Sequence, residues 1–178
     1  MIFFDASAVV KAYLTENGSG EVRATLLGLK GRLYLTSLVV LEVLGTFAKH
    51  RRSREVDRRG YRNARRAFLA ELAALHVLAV ENPVYGVAND LVDRHWRVAA
   101  GSMDALHIAS ALQLRALWPH ELVIVASSDH AFLSLARAAG LPTFDPETES
   151  FSELQSRLGR SPHHPSSMAT LRRGSPPR

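Results

Sequence analysis

Four carboxylates in this chain occupy positions where a folded protein has little ordinary use for a charge. Asp5 closes the apolar run Met1–Phe4, and Asp129 follows the apolar "VIVASS". Glu42 lies inside "LVVLEVLG", with apolar neighbours on both sides, and Asp104 opens "MDALHIASAL". An unpartnered carboxylate taken into a core is strongly disfavoured unless its pKa shifts until it is neutral. Such a group is stable when paired with Arg or Lys, or when it ligates a cation. Simpler roles compete at three of the four positions. Asp5 and Asp129 can each cap a helix, and Asp104 suits a first helical turn behind Ser102, the expected cap.

Asp104 and His107 stand three residues apart on one helical face, a spacing that permits a two-residue metal motif. No second histidine lies at helical spacing from His107, and zinc sites use more nitrogen ligands than one. His107 is therefore expected to be a packed, hydrogen-bonded residue. Ser7 and Ser127 each stand two residues from an acid, Asp5 and Asp129 respectively. Their hydroxyls suit either capping or the positioning of water or a phosphate oxygen.

The elements that would position these residues are legible in outline. Five short apolar runs have strand length: Met1–Phe4, Arg32–Ser37, His76–Glu81, Glu121–Asp129 and the weaker Leu141–Asp145. Helical periodicity fills the gaps at Ala6–Leu14, Gly20–Leu29, Leu38–His50, Val56–Leu75, Val84–Ala99, Met103–Leu117 and Ala131–Ala139. Strands alternating with helices predict an α/β fold, a parallel sheet covered on both faces. Ligands of such sheets bind outside the carboxyl ends of the strands. Asp5 and Asp129 are expected at those ends, and Glu42 and Asp104 in the first turns of helices beside them. Four converging carboxylates repel one another unless a divalent cation neutralises them, and oxygen donors without cysteine suit Mg²⁺ or Mn²⁺.

Composition sets the outer limits. The 178 residues fit one domain, with 47% hydrophobic and 22% charged residues and no cysteine. Disulfides and thiolate metal sites are excluded, and no apolar run approaches the ~18 residues of a membrane span. The acid at position 5 argues against a signal peptide, so a cytoplasmic location is expected. Nine basic residues between Lys49 and Arg66 face only Glu55 and Asp57, a net +7 within a chain of +5. This arm is either a solvated helix face or a contact for a polyanion. Residues 150–178, rich in Pro, Ser and Arg, read as a disordered basic tail after a domain of residues 1–149. His163 and His164 in that tail are expected to be solvated.

The order of these motifs resembles the PIN-domain nucleases, and among them the VapC-like toxins of type II toxin–antitoxin pairs. The resemblance rests on "FFDASAVVKAYL", Glu42 in "TSLVVLEVLGTF", "MDALHIASAL" and "VASSDHAFLSLARAAGL", and spans roughly Met1–Pro146. It implies a three-layer α/β/α domain with a five-stranded parallel sheet. It also implies an acidic, divalent-metal ribonuclease site, with the family's acids falling on Asp5, Glu42, Asp104 and Asp129. Its hydroxyl positions fall on Ser7 and Ser127. His107 matches a position that is often histidine in relatives without counting as a ligand.

The expected function is then a Mg²⁺- or Mn²⁺-dependent endoribonuclease, the toxin of a toxin–antitoxin pair. The expected partners are an RNA substrate, a VapB-like antitoxin and a second copy of the chain in a homodimer, with no membrane. Two alternatives compete with this reading. A non-catalytic RNA-binding or scaffold protein on the same fold would more readily have lost one of the four acids. A phospho-accepting receiver-type domain needs paired acids after the first strand and a lysine ending the fifth, and this chain has neither.

Overall fold

The first strand, β1 (Ile2–Phe4), is wholly buried and occupies the centre of the sheet. In the computed structural model, which describes residues 1–159, β1 pairs in parallel with β2 (Leu33–Thr36) on one side and β4 (Ile124–Ala126) on the other. β3 (His76–Leu78) extends the sheet beyond β2, and β5 (Thr143–Phe144) extends it beyond β4. The five strands run parallel in the order β3-β2-β1-β4-β5. The chain builds outward from β1 in one direction, then returns to build in the other. The strand order therefore reverses between β1 and β4, and a ligand crevice forms beside such a reversal, at the carboxyl edge of the sheet.

Side chains alternate across a strand, so β1 feeds two cores. Ile2 and Phe4 enter one, Phe3 the other. The Ile2/Phe4 face is covered by α1 (Ala6–Val10), α2 (Ser19–Gly28), α3 (Ser37–Arg52) and α4 (Arg58–Glu71), through Val9, Val22, Val39, Val43, Phe47 and Phe68. The Phe3 face is covered by α5 (Asn82–Arg94), α6 (Ser102–Leu117) and α7 (His130–Ala138), through Leu91, Ile108, Ala109 and Phe132 among others. This is the three-layer arrangement expected from the sequence. The helix bounds shift by a few residues. The expected helix over Val56–Leu75 begins at Arg58 and ends as a short 3₁₀ turn, Leu72–Ala74, and that over Ala6–Leu14 stops at Val10.

The expected disordered tail began at residue 150. Residues Phe151–Gly159 instead form a helix, α8, which buries Leu154 and Leu158 in the Ile2/Phe4 core. Ser150 and Glu153 form a reciprocal cap: the Ser150 N–H donates to Glu153 Oε2 at 2.7 Å, and the Glu153 N–H donates to Ser150 Oγ at 3.3 Å. The Phe151 ring seats against α2 at Gly28, where a Cβ would lie 2.4 Å from the ring. Glu21 of α2 accepts the Phe151 N–H at 2.6 Å. The rest of the expected tail, with His163 and His164, lies outside the described residues. Among the described residues, no helix is long and apolar enough to cross a membrane.

Candidate functional site

The site is assembled where β1 and β4 end. Asp5 directly follows β1, and its N–H donates to Ala126 O at 2.9 Å, extending the β1/β4 pairing by one residue. Asp5 is the N-cap of α1, and its carboxylate is buried. Three donors converge on one of its oxygens. The Ser7 N–H (3.1 Å), the Ser7 hydroxyl (2.6 Å) and the Ser127 hydroxyl (3.0 Å) all reach Oδ2. The two hydroxyl oxygens lie 3.0 Å apart. Ser7 Oγ accepts the Ser128 N–H at 2.9 Å, and Ser127 Oγ accepts the Asp129 N–H at 3.0 Å. The paired serines thus tie the loop after β4 to the loop after β1. They also fix the plane of the Asp5 carboxylate and leave Oδ1 outside these bonds.

Asp129 caps α7 by the same device. Its Oδ1 accepts the Ala131 and Phe132 N–H groups at 2.7 and 3.2 Å. Asp104 corrects one expectation. Gly101, not Ser102, is the N-cap of α6, and glycine has no side chain to cap with. Asp104, at the third helical position, reaches back instead, and its Oδ2 accepts the Gly101 N–H at 2.7 Å. Capping and site-building are therefore not rivals at Asp5, Asp104 and Asp129. One oxygen of each satisfies the helix terminus and holds the carboxylate in place. The other takes no part in those bonds.

Burial pushes the Asp104 carboxyl above the ordinary carboxylate range. The Gly101 N–H opposes that shift, and the negative charges of Asp5 and Asp129 add to it. That repulsion shows the three aspartates, drawn from three separate loops, sharing one electrostatic environment.

Glu42 completes the group from the other side of β1. It lies in the second turn of α3 rather than the first, and its side chain is 34% exposed, not enclosed by apolar neighbours. Its Oε2 lies 2.8 Å from Nε2 of His107, which is fully buried in the second turn of α6. Ligand atoms of Asp5, Glu42 and His107 all lie within 4.8 Å of one another, close enough for one cation. His107 is packed and hydrogen-bonded, as expected, and one of its partners is a candidate ligand. The sequence held no signal for that contact, which joins residues 65 positions apart.

The donors fit a hard divalent cation. They are carboxylate oxygens of Asp5 and Glu42 beside the His107 ring, and Asp104 and Asp129 add negative charge that a cation would offset. Beside them a recess of about 350 Å³ is lined by Ser7, Lys11, Thr46, His50 and Ser128, with Glu16 and Glu147. Lys11 is buried there and pairs with Glu147 at 2.6 Å and Glu16 at 3.4 Å. His50 contacts Glu55 at 2.7 Å and marks the end of the recess toward the basic arm. That arm is the α3–α4 hairpin. Tyr61, Ala64 and Phe68 turn α4 inward, while Arg58, Arg59, Arg62, Arg65 and Arg66 are exposed.

Comparison with known proteins identifies the family and the fold. The family model for the PIN domain matches residues 2–138. Ribonuclease VapC47 of Mycobacterium tuberculosis is 28% identical over 149 residues, spanning 82% of this chain and 97% of its own length. Among solved structures, FitAB bound to an IR36 DNA fragment matches with a TM-score of 0.63 at 18% identity, over 84% of this chain and 98% of that one. VapC20 of Mycobacterium tuberculosis, a toxin that cleaves the sarcin-ricin loop, matches with a TM-score of 0.56 at 19% identity, over 79% of this chain and 96% of its own.

Proposed function

The chain belongs to the PIN-domain family, and from that premise we propose that it is a divalent-metal-dependent endoribonuclease, the toxin of a toxin–antitoxin pair. The observation that carries this reading is the cluster of Asp5, Glu42 and His107 ligand atoms within 4.8 Å of one another, with Asp104 feeling the charges of Asp5 and Asp129, and with one oxygen of each acid held in place by hydrogen bonds. Asp5, Asp104 and Asp129 would hold Mg²⁺ or Mn²⁺, with Glu42 as a further ligand or as the group that orients the attacking water. When bound, such a cation activates water for attack and neutralises charge on the scissile phosphate. The chain's part is geometric. Ser7 and Ser127 fix Asp5, the Gly101 N–H fixes Asp104, and the α7 terminus fixes Asp129. In-line attack would break the P–O3′ bond, leaving a 5′-phosphate and a 3′-hydroxyl.

The α4 arginines would grip the RNA backbone, since the recess beside Ser7 leads from the acids to the end of α3 at His50. The antitoxin has a separate candidate seat. A groove of about 680 Å³ between α2 and α4 is lined by Tyr13, Leu26, Leu27, Ala67 and Leu75, with Arg23 and Lys30 beside them. An apolar floor with basic neighbours suits an amphipathic segment of acidic character. The named relatives VapC47 and VapC20 support the ribonuclease and toxin parts of the proposal. A homodimer and a cytoplasmic location belong to the same proposal.

The test is incubation of the purified chain with total RNA, with Mg²⁺ and with excess chelator, followed by mapping of the cut ends. Discrete cuts bearing 5′-phosphates, lost with chelator and restored by Mg²⁺ or Mn²⁺, are expected. Cleavage that persists undiminished in chelator contradicts the metal-dependent reading.

A further inference from the structure

His107 sits in a chain of hydrogen bonds that ends on Glu42. Thr36, the N-cap of α3, accepts the Val39 N–H on Oγ1 at 3.2 Å. Its own proton then needs an acceptor, and His107 Nδ1 lies 3.1 Å away. A neutral ring that accepts at Nδ1 carries its proton on Nε2. That N–H donates to Glu42 Oε2 at 2.8 Å. In this arrangement every donor meets one acceptor. The opposite tautomer fails twice. It takes away the His107 acceptor that meets the Thr36 hydroxyl proton, and it sets the bare Nε2 lone pair against a carboxylate oxygen.

The same geometry argues against His107 as a ligand. Its Nδ1 is engaged by Thr36, and its Nε2 could reach a cation only by giving up Glu42. The ring is 1% exposed, whereas the Glu42 side chain is 34% exposed. The carboxylate thus faces the open site while the imidazole lies behind it. The contact also crosses the sheet, linking α3 on one face to α6 on the other, the helix that carries Asp104.

We propose that His107 is a positioning residue, which, anchored by Thr36, holds the Glu42 carboxylate by an Nε2–H bond and leaves Glu42 Oε1 for the cation. This rests on the metal-binding part of the reading above. Nitrogen NMR of the metal-free protein tests the proton placement directly. A protonated Nε2 with an unprotonated, accepting Nδ1 is expected, and a proton on Nδ1 with a bare Nε2 overturns the proposal.

Calorimetric titration with Mn²⁺ tests the consequence. Outer partners of a ligand typically contribute about 10–100-fold in metal affinity. His107→Leu is expected to weaken Mn²⁺ binding by about tenfold or more. His107→Gln, which keeps an N–H donor, should recover part of the loss. Thr36→Val should shift affinity in the same direction by less, and it guards against misfolding of the leucine variant. In a Glu42→Gln background, His107→Leu should cost nothing further. Unchanged affinity in folded His107→Leu or Thr36→Val overturns the proposal, as does an undiminished His107 effect without Glu42. Wild-type protein that binds Mn²⁺ in this pattern but cuts no RNA sinks the nuclease reading alone. Wild-type protein that binds no Mn²⁺ sinks both.

Discussion

At Asp104 a helix-capping acid is held above the ordinary carboxylate range by burial and by two neighbouring aspartates. The sign of its linkage follows from that direction. A carboxyl raised in the folded state adds stability only while protonated, an increment present below its unfolded value of 3.8 and lost as pH rises through the folded one. At neutral pH without metal, the ionised Asp104 therefore works against the fold. Asp104→Asn keeps an oxygen for the Gly101 N–H and removes the charge. Its melting temperature in chelator, read by circular dichroism at pH 7, should equal or exceed that of wild type. Mg²⁺ should raise the wild-type value and leave the variant nearly unmoved. A variant melting well below wild type in chelator would contradict the claim that the buried, ionised Asp104 works against the fold. The acids themselves were legible because charge was out of place in apolar runs. The Asp104 cap was not, because a serine next to the helix start looked like the stronger cap. The structure starts α6 one residue earlier than that reading required, at Gly101 as N-cap.

At the scale of elements, α8 is the part of the fold that composition concealed. Pro, Ser and Arg dominate residues 150–178, but the capping pair Ser150 and Glu153, and Leu154 and Leu158 at helical spacing, lie within that stretch. Averaging over the whole segment hid a nine-residue helix. The strands were easier to read, since each is a short apolar run between polar turns. Leu154→Ala should destabilise the domain by about 3 kcal/mol, the usual scale for a buried leucine, as measured by chemical denaturation. A cost below about 1 kcal/mol would mean that α8 contributes little to the core. The α4 arginines give a second prediction at this scale. In an Asp5→Asn background, single-stranded RNA binding should weaken as salt rises. Each of Arg58→Gln, Arg62→Gln and Arg66→Gln should lower the log–log salt slope by about 0.7 if it contacts one phosphate. An unchanged slope in all three would place the RNA elsewhere.

For the molecule as a whole, the order of strands decides where chemistry can occur. Building outward from β1 in both directions puts the reversal between β1 and β4. Each strand is followed by a serine and an aspartate, Ser7 with Asp5 and Ser127 with Asp129, and both hydroxyls bond the Asp5 carboxylate. The sequence placed these residues at strand ends, and the parallel topology brings those ends side by side. It could not place Glu42 against His107, because nothing in either local pattern reports a contact between α3 and α6. The division of surfaces follows from the same topology. The acids occupy the carboxyl edge, the arginines the α3–α4 hairpin, and the apolar groove the space between α2 and α4.

The central claim is that these carboxylates, acting through a divalent cation, cut RNA. Its most direct test compares wild type, Asp5→Asn and Asp104→Asn on one RNA in saturating Mg²⁺, with folding of each confirmed by circular dichroism. Each substitution removes a charge from the proposed cation site, and a loss of several kcal/mol in transition-state stabilisation corresponds to about 100-fold or more in rate. Both variants should fold and lose cleavage on that scale. Wild-type rates from either folded variant would contradict the account.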